Sequence, residues 1–259
     1  MENINSIYSD NTMKKLADLR REFHRCPETG WLEFETTVKI ISYLKSFGYE
    51  VIYGKKIHSE RMGLPDESTM REHREQLKLE ADFDLSEILE GYTGAVAILD
   101  TRRDGPTIAM RFDIDGNEID EAKAENHLPN KENFASLNKN MMHACGHDGH
   151  IAIGISVARK IAERKEQLRG RFIFIFQPAE EGVKGAKSIV GTGILKEVDY
   201  FLSGHIGFGA EEGEIVCGAV GFLATSKLDI YFDGKPAHAG ASPESGRNAL
   251  LAAASCALN

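Results

Sequence analysis

The sequence predicts an α/β fold in which a mostly parallel β-sheet is flanked by helices. Four short apolar runs, each bounded by glycine, proline or charged residues, are typical of buried strands. They are TGAVAILD, PTIAMRF, RFIFIFQ and VDYFLSG. Helical periodicity precedes the first run and separates the second from the third. Strands that alternate with helices favour a parallel sheet, because each crossover helix returns the chain in the same direction.

Three helices are predicted around these strands. Apolar residues recur at helical spacing over 12–24, and a second periodic run over 34–48 ends in a glycine, as a C-terminal cap would. Residues 151–168 begin with strand-like alternation. Their length, their apolar spacing and the terminal Gly170 nevertheless favour a helix. The segment 60–90 carries dense charge of both signs and is interpreted as an exposed, largely helical insertion.

A domain boundary is expected near Gly221, so that residues 1–220 form one domain and 221–259 begin a second. Beyond the boundary, LATSKLDIYFDG predicts a strand and NALLAAASCALN predicts an alanine-rich helix. One strand and one helix cannot bury a core alone. This segment is therefore expected to dock on another element or to open a larger domain.

Composition excludes several classes of protein. A chain of 259 residues with 42% hydrophobic content can bury a core, so disorder is not expected. The net charge of −9 argues against general affinity for nucleic acid or anionic lipid. The start of the chain has no basic, apolar leader, and no run reaches the roughly 18 apolar residues of a membrane span. We therefore expect a cytoplasmic protein with a small soluble ligand.

Ligand-type side chains converge on one predicted edge of the sheet. In open α/β sheets, binding sites lie outside the carboxyl ends of the strands. Four separate segments deliver carboxylate, imidazole or thiol groups to that edge. They are Asp113 and Asp115 after the second strand, Glu180 and Glu181 after the third, His205 after the fourth, and MMHACGHDGH before a helix. This coincidence predicts a metal centre rather than unrelated polar loops.

The spacing of these residues suggests how a metal would be held. Cys145 and His147 are two apart, which in an extended segment puts both side chains on one face. Sulfur, nitrogen and oxygen donors together suit Zn²⁺ or Mn²⁺ and do not suit Ca²⁺. Glu180 and Glu181 leave one turn in different directions, so one can bind metal while the other moves a proton. This division of labour is what metal-assisted hydrolysis requires.

Each residue also has an ordinary structural interpretation. His143 and His150 are interpreted as hydrogen-bonded histidines or as residues that support metal ligands. Asp113 and Asp115 are equally compatible with a functional role and with turn formation. His238, in KPAHAGASP, is by itself a typical loop histidine.

A thiol enzyme is an alternative from a different class. Cys145 would be the nucleophile and His147 its base, since residues two apart in an extended run can interact. The two carboxylates at the neighbouring strand end suit a cation better than a thiolate. The metal centre is therefore the favoured hypothesis.

The motifs, in their order along the chain, resemble one known family. MMHACGHDGH, FQPAEEG, GHIG and AHAGASPESGRNAL are similar to the metal-dependent aminoacylase and carboxypeptidase family, which includes hippurate hydrolase and the hydrolases of indoleacetyl-amino acid conjugates. RREFHRCPETGWLEFET, RMGLPDE and ALLAAA resemble the branch that acts on p-aminobenzoyl-glutamate. The resemblance runs along essentially the whole chain. It implies an amidohydrolase that cleaves p-aminobenzoyl-glutamate or a related N-acyl amino acid.

The resemblance also implies an architecture and a site. It implies a catalytic domain similar to zinc aminopeptidases, with a smaller ferredoxin-like lid inserted after about Gly221. It implies two divalent ions per site, Mn²⁺ or Zn²⁺. By position in the motifs, the metal ligands would be Cys145, His147, Glu181 and His205, and the general base would be Glu180.

Two further residues acquire roles from the resemblance. Asp115 resembles the residue that orients a ligand, although DIDGNEID departs from the more usual apolar continuation of that motif. His238 resembles a lid histidine that, in dimeric relatives, reaches a neighbouring active site and steadies the tetrahedral intermediate. The resemblance thus implies a homodimer, or a heteromer with a related subunit.

The chain departs from the family in its extent. Family members continue past the lid and supply a last metal-ligating histidine, whereas this chain is expected to stop inside the lid. An inactive fragment that binds metal or a partner is therefore an alternative. Arg247 and Asn248 are candidates for binding the substrate carboxylates.

Overall fold

A five-stranded sheet organises the first part of the chain. The computed structural model describes residues 10–207, 209–211, 213–218, 220–221, 228 and 230–258. The chain divides into two compact units, Met1–Gly213 and Glu214–Asn259. The strands of the first unit are β1 (Glu50–Tyr53), β2 (Ala95–Asp100), β3 (Thr107–Asp113), β4 (Arg171–Gln177) and β5 (Tyr200–Ser203). Their order across the sheet is β1-β2-β4-β3-β5.

Helices flank this sheet. Those of the first unit are α1 (Asp10–His24), α2 (Phe34–Ser46), α3 (Glu67–Gln76), α4 (Ser86–Leu89), α5 (Leu128–Lys131), α6 (His147–Glu163) and α7 (Gly185–Val190). The predicted helices over 12–24 and 34–48 agree with α1 and α2 to within a few residues. The charged insertion contains α3 and α4, joined by irregular segments. The α/β class and the flanking helices are therefore as predicted.

The sheet is mixed rather than mostly parallel. Strand β3 pairs in parallel with both β4 and β5, whereas the β1–β2 and β2–β4 pairings are antiparallel. The prediction of a mostly parallel sheet was wrong in this respect. An apolar run such as TGAVAILD indicates burial on both faces but is the same for either strand direction.

The core lies on both faces of the sheet, because successive side chains of a strand point to opposite sides. On β4, Phe172, Phe174 and Phe176 pack with α2 and α6, while Ile173 and Ile175 pack on the opposite face with Ile189 of α7. Burial of each such side chain contributes about 1.5–3 kcal/mol. This two-sided core holds the central strands in fixed register.

That register aligns the carboxyl ends of three strands. Asp113, the last residue of β3, pairs with Gln177, the last residue of β4. Arg111 of β3 pairs with Ser203, the last residue of β5. The segments that follow these strands therefore leave the sheet at one edge.

Helix α6 begins earlier than predicted. The sequence predicts a helix over 151–168, but α6 spans His147–Glu163 and is followed by a short 3-10 turn at Lys165–Gln167. Gly146 precedes it with a φ of 83°, a conformation that glycine adopts readily. The change of direction at this glycine lets the helix start at His147.

The second unit is described by itself. Its described residues include helix α8 (Ala249–Leu258), close to the predicted alanine-rich helix, and a bridge between Lys235 and Arg247. Half of the strand predicted over 223–234 falls outside the described residues, and the described half, residues 228 and 230–234, forms no strand. Throughout the part of the chain that the structure describes, no helix has the length and apolar character needed to cross a membrane.

Candidate metal centre

His147 lies at the centre of three overlapping sets of metal-ligating side chains. In each set, one ligand atom per residue lies within 4.8 Å of the others. The sets are Cys145 with His147 and His205, Asp113 with His147 and His150, and His147 with Glu180 and Glu181. Segments that are far apart in the sequence thus meet at one edge of the sheet.

The backbone of the β3 end fixes the orientation of the His147 ring. Its Nδ1 lies 2.9 Å from the main-chain carbonyl oxygen of Asp115. Because a carbonyl can only accept, Nδ1 carries the proton and donates it. The Nε2 atom is buried and makes no hydrogen bond within the described residues. A histidine held in this way presents Nε2 to a metal.

The ring of His205 is also oriented by a hydrogen bond from Nδ1 to a main-chain carbonyl. Its Nδ1 donates to the carbonyl oxygen of Ile206, at 2.7 Å, and its Nε2 lies 3.4 Å from Sγ of Cys145. The imidazoles of His147 and His205 are edge to face, with ring centroids 5.8 Å apart. Two imidazole nitrogens and a thiol therefore converge.

The surrounding carboxylates favour positive charge in the cluster. Burial lowers the pKa of His147, but the carboxylate of Asp115, with an oxygen 3.3 Å from Nδ1, and the carboxylates of Asp113 and Glu180 outweigh it and raise that pKa to about 9. Burial and then Glu181 raise the pKa of Cys145 to about 12. A thiolate at this position therefore needs a cation to stabilise it.

The two glutamates are placed differently around His147. An Oε2 atom of Glu180 lies 4.0 Å from Nε2 of His147. Burial, followed by the charge of Asp113, raises the pKa of Glu180. Glu181 lines the same cavity as Cys145, and its backbone N–H donates to Oδ2 of Asp115 at 2.8 Å. Glu181 thus belongs to the cysteine side of the cluster.

His150 ties three segments of the site together. Its Nε2 accepts the backbone N–H of Ile206 at 3.0 Å, so the proton is on Nδ1, which donates to Asp113. Both ring nitrogens of His150 therefore have a hydrogen-bond partner. Arg111 lies 2.8 Å from the other oxygen of Asp113. Burial raises the pKa of Asp113, but His150 and Arg111 outweigh it and lower that pKa to about 2.

Asn117 fixes the loop that carries the cysteine. Its Oδ1 accepts the backbone N–H groups of Ala144 and Cys145 at 3.1 and 3.2 Å. A cavity of about 580 Å³ opens beside this loop. Its lining comprises Asn117, Ala144, Cys145, Gly146, Glu181, Ile206 and Gly207. A small ligand could therefore enter next to the thiol and the Glu181 carboxylate.

The donor set fits a divalent metal. A buried, unbonded imidazole nitrogen, a second oriented imidazole, a thiol and two carboxylates are all ligands that Zn²⁺ and Mn²⁺ accept. Carboxylates held this close together repel one another, and a bound cation would relieve that repulsion. The residues present thus fit a divalent ion.

Comparison with known proteins assigns the family. The model of peptidase family M20/M25/M40 matches residues 109–258, which include every residue of the cluster. The chain belongs to peptidase family M20/M25/M40.

Relatives in this family are similar over the whole chain. The chain is 44% identical to a subunit of p-aminobenzoyl-glutamate hydrolase from Escherichia coli over 262 aligned positions, which cover 100% of this chain and 60% of that protein. The chain thus spans less than two thirds of the length of that relative.

Solved structures of the M20 family share the fold. An aminobenzoyl-glutamate utilization protein from Klebsiella pneumoniae is 40% identical, with a TM-score of 0.72 over 96% of this chain and 57% of that chain. A dinuclear metal-binding peptidase of the M20 family from Bacillus subtilis is 31% identical, with a TM-score of 0.57 over 76% of this chain and 44% of that chain.

The structure brings most of the predicted site residues together. The cluster contains all four predicted metal ligands and the predicted base, and Asp115 lies beside it. The predicted residues in the cluster are Cys145, His147, Glu180, Glu181 and His205. The assumption of an extended segment was wrong, because Gly146 turns the chain and His147 begins a helix.

That turn also bears on the thiol-enzyme alternative. The imidazole that contacts the thiol of Cys145 is His205, at 3.4 Å, and not His147 as the alternative requires. The raised pKa of Cys145, caused by burial and by Glu181, also opposes a free thiolate. The geometry therefore does not favour a cysteine nucleophile activated by His147.

Three predicted residues belong to the second unit. His238 is exposed there, and its Nδ1 accepts the backbone N–H groups of Gly240 and Ala241 at 3.2 and 3.1 Å, which leaves the ring proton on Nε2. Asn248 accepts the N–H of Leu251 at 3.0 Å and thus caps α8. The backbone of Arg247 forms the bridge to Lys235.

Sequence reasoning gave His150 a supporting role among its alternatives but missed Asn117, which also holds the site in place. His143 and His150 received the same interpretation, but only His150 is hydrogen bonded; neither ring nitrogen of His143 has a partner in the described part of the chain. Asn117 lies in DIDGNEID, the stretch that departs from the family pattern. That departure was the one signal that could have identified it.

Proposed function

We propose that this protein is a metal-dependent amidohydrolase that cleaves p-aminobenzoyl-glutamate or a related N-acyl amino acid. Hydrolysis of the amide would release p-aminobenzoate and glutamate. The observation that carries the proposal is the convergence on His147 of a thiol, a second imidazole and the adjacent pair Glu180 and Glu181. The substrate class follows the name of the Escherichia coli relative.

Two divalent ions, Mn²⁺ or Zn²⁺, are proposed to bind at this cluster. The proposed ligands are Cys145, His147, Glu181 and His205, whose donor atoms converge in the structure. When bound, such ions polarise the amide carbonyl and make water a stronger nucleophile at neutral pH. The convergence of Glu181 with His147 and the hydrogen bond from its backbone N–H to Asp115 support its place among the ligands.

Glu180 is proposed as the general base and acid. Its carboxylate is partly exposed, with 39% of the side chain accessible, so it can meet a water and a substrate. Its pKa is raised by burial and by Asp113, which brings the carboxylate closer to the working range of a proton-transfer group. Glu180 would take a proton from the attacking water as the C–O bond forms. It would deliver that proton to the amide nitrogen as the C–N bond breaks.

Two further residues are proposed to support catalysis, one by orienting metal ligands and one by stabilising the oxyanion. Asp115 orients His147 through its carbonyl and holds Glu181 through its carboxylate. His238, with its proton on Nε2, has the donor needed to stabilise a developing oxyanion. Residues 1–220 would then form the catalytic domain, and 221–259 would begin a ferredoxin-like lid.

The proposal extends to partners and location. The Escherichia coli relative is named as one subunit of its hydrolase, which supports assembly of this chain with a related subunit or with a second copy. A cytoplasmic location is proposed from the composition, because four cysteines without a repeating spacing do not suggest the disulfide framework of a secreted protein.

The test is hydrolysis by the purified chain. Metal content is measured first, and release of p-aminobenzoate from p-aminobenzoyl-glutamate is then followed by chromatography with Mn²⁺ or Zn²⁺ present. Glu180→Gln keeps the shape of the side chain and should lower kcat by about 10²–10⁴-fold. Cys145→Ser should lower metal content.

The outcomes separate the hypotheses. Release of p-aminobenzoate that depends on Glu180 supports the amidohydrolase. Metal binding without hydrolysis by a folded chain would contradict activity in this chain and favour the alternative of a metal- or partner-binding fragment.

A further inference from the structure

Glu33, a fully buried glutamate, contacts the turn that carries Glu180 and Glu181. Its Oε1 accepts the backbone N–H of Ala179 at 2.7 Å, and its Oε2 accepts the hydroxyl of Thr93 at 2.6 Å. Glu33 is 0% exposed. A carboxyl group buried this deeply is tolerated because hydrogen bonds replace the water it has lost.

Ala179 is held through both of its backbone groups. Its carbonyl accepts the N–H groups of Lys184 and Gly185 at 3.2 and 2.8 Å, while its own N–H goes to Glu33. Its φ is 49°, in the left-handed region, which costs a residue other than glycine about 1–2 kcal/mol. Such a conformation persists only where the surroundings impose it. Ala179 therefore determines the direction in which the chain continues to Glu180.

The packing around this turn leaves little freedom for another conformation. A Cβ atom added at Gly30 would lie 3.0 Å from Cβ of Ala179, and one added at Gly185 would lie 1.8 Å from the carbonyl oxygen of Pro178. On the other side of Glu180, the N–H of Glu181 donates to Asp115. Two buried acidic side chains thus hold the backbone on either side of Glu180.

We propose that Glu33 is a positioning residue that sets the direction of Glu180 and Glu181 by fixing the backbone of Ala179. The inference rests on the proposed function for the roles of the two glutamates. The hydrogen bond that fixes Ala179 can be tested without that function.

The chemistry of Glu33 predicts which substitutions are tolerated. Burial and the charge of Asp115 raise the pKa of Glu33 well above its ordinary value, so a neutral side chain suits this position. In Glu33→Gln, the amide oxygen can accept from Ala179 and the amide nitrogen can donate to Thr93. Glu33→Ala removes both contacts and leaves a buried N–H without a partner, which is unfavourable.

The same segment offers a matched control. Glu28 is also 0% exposed, and its carboxylate accepts the backbone N–H groups of Glu35 and Thr36 at 3.1 and 2.8 Å and contacts His73 at 2.8 Å. These contacts hold the start of α2 and the insertion, not the turn at Ala179. Glu28→Ala should therefore lower stability without moving the two site glutamates.

The experiment compares the wild type with Glu33→Gln, Glu33→Ala and Glu28→Ala. Hydrogen exchange of the metal-free proteins is measured by mass spectrometry for the peptide 178–185, and Mn²⁺ affinity by titration calorimetry. Glu33→Ala should exchange faster at this peptide and bind Mn²⁺ at least about tenfold more weakly. Glu33→Gln and Glu28→Ala should stay within about threefold of the wild type in both measurements.

Each result decides on the proposal. Unchanged exchange at 178–185 in Glu33→Ala would overturn it, as would an equal loss of Mn²⁺ affinity in Glu28→Ala. If Glu33→Ala does not fold, Glu33→Asp replaces it, because a side chain shorter by one methylene cannot reach both partners. If the wild type binds neither Mn²⁺ nor Zn²⁺, the proposed function fails, while the exchange result still tests the contact with Ala179.

Discussion

Asp115 accepts the backbone N–H of Glu181 through Oδ2 at a distance of 2.8 Å. The main-chain carbonyl of the same residue accepts a hydrogen bond from Nδ1–H of His147 at 2.9 Å. One residue in the segment after β3 thus positions a carboxylate that follows β4 and an imidazole at the start of α6. Two of the proposed metal ligands depend on Asp115 for their placement.

We expect Asp115→Ala to weaken metal binding more than Asp115→Asn does. The alanine leaves the partly buried N–H of Glu181 without its acceptor, whereas asparagine retains one oxygen that can accept it. Loss of a residue that supports metal ligands typically lowers metal affinity by about 10–100-fold. Titration calorimetry with Mn²⁺ would measure the difference. Equal affinities for wild type and Asp115→Ala would show that this contact does not position Glu181.

The site could be predicted from sequence because of the strands that carry it. Asp113 ends β3, and Glu180 and His205 follow β4 and β5. These three strands are mutually parallel although the sheet as a whole is mixed. The rule that sites lie at the carboxyl ends of parallel strands therefore applied to these three. The antiparallel pairings involve β1 and β2, which carry none of the predicted ligands.

The hydrogen-bond partners of the supporting residues could not be predicted in the same way, even for Asp115, whose role in orienting a ligand was expected. Glu33 and Ala179 are 146 residues apart in the sequence, and Asp115 and Glu181 are 66 apart. Residue types and spacing indicate which side chains can bind a metal. They do not indicate which distant backbone N–H a buried carboxylate will contact, because that depends on the packing of the whole core.

His150 should be required for the placement of His205. It accepts the N–H of Ile206, the residue after His205, and donates to Asp113. His150→Phe keeps a ring but loses both contacts, so we expect Mn²⁺ affinity to fall by about 10–100-fold. The control is His73→Phe, since His73 is a similarly buried histidine that contacts Glu28 at 2.8 Å. If both variants lose affinity equally, the effect is general destabilisation.

The tight turn after β4 should be sensitive to a single added methyl group. In Gly185→Ala the new Cβ would lie 1.8 Å from the carbonyl oxygen of Pro178, so the turn must move. We expect the free energy of unfolding to fall by about 1–3 kcal/mol, as for other overpacked positions. Denaturant unfolding would measure it. Gly204→Ala, where an added Cβ meets no atom within 4 Å, should change stability by less than about 0.5 kcal/mol.

His58 should make the protein less stable in mild acid. Its Nε2 donates to the carbonyl oxygen of Thr93 at 2.8 Å, and its Nδ1 accepts the hydroxyl of Ser188 at 3.0 Å, an arrangement that requires the neutral ring. Burial lowers the pKa of His58 from 6.5 to about 4. Folding therefore favours the uncharged form.

The sign of this effect follows from the direction of the shift. Above pH 6.5 both states hold a neutral His58 and the full contribution is present. As the pH falls from 6.5 towards 4, the unfolded chain takes up a proton that the folded chain does not, so stability is lost. Over this range the loss attributable to His58 should reach about 3 kcal/mol. Denaturant unfolding at pH 7 and at pH 4.5 should thus show a smaller loss for His58→Gln than for the wild type, because glutamine does not titrate. Equal losses in the two proteins would mean that His58 is not the group responsible, and that other carboxylates or histidines account for the acid sensitivity.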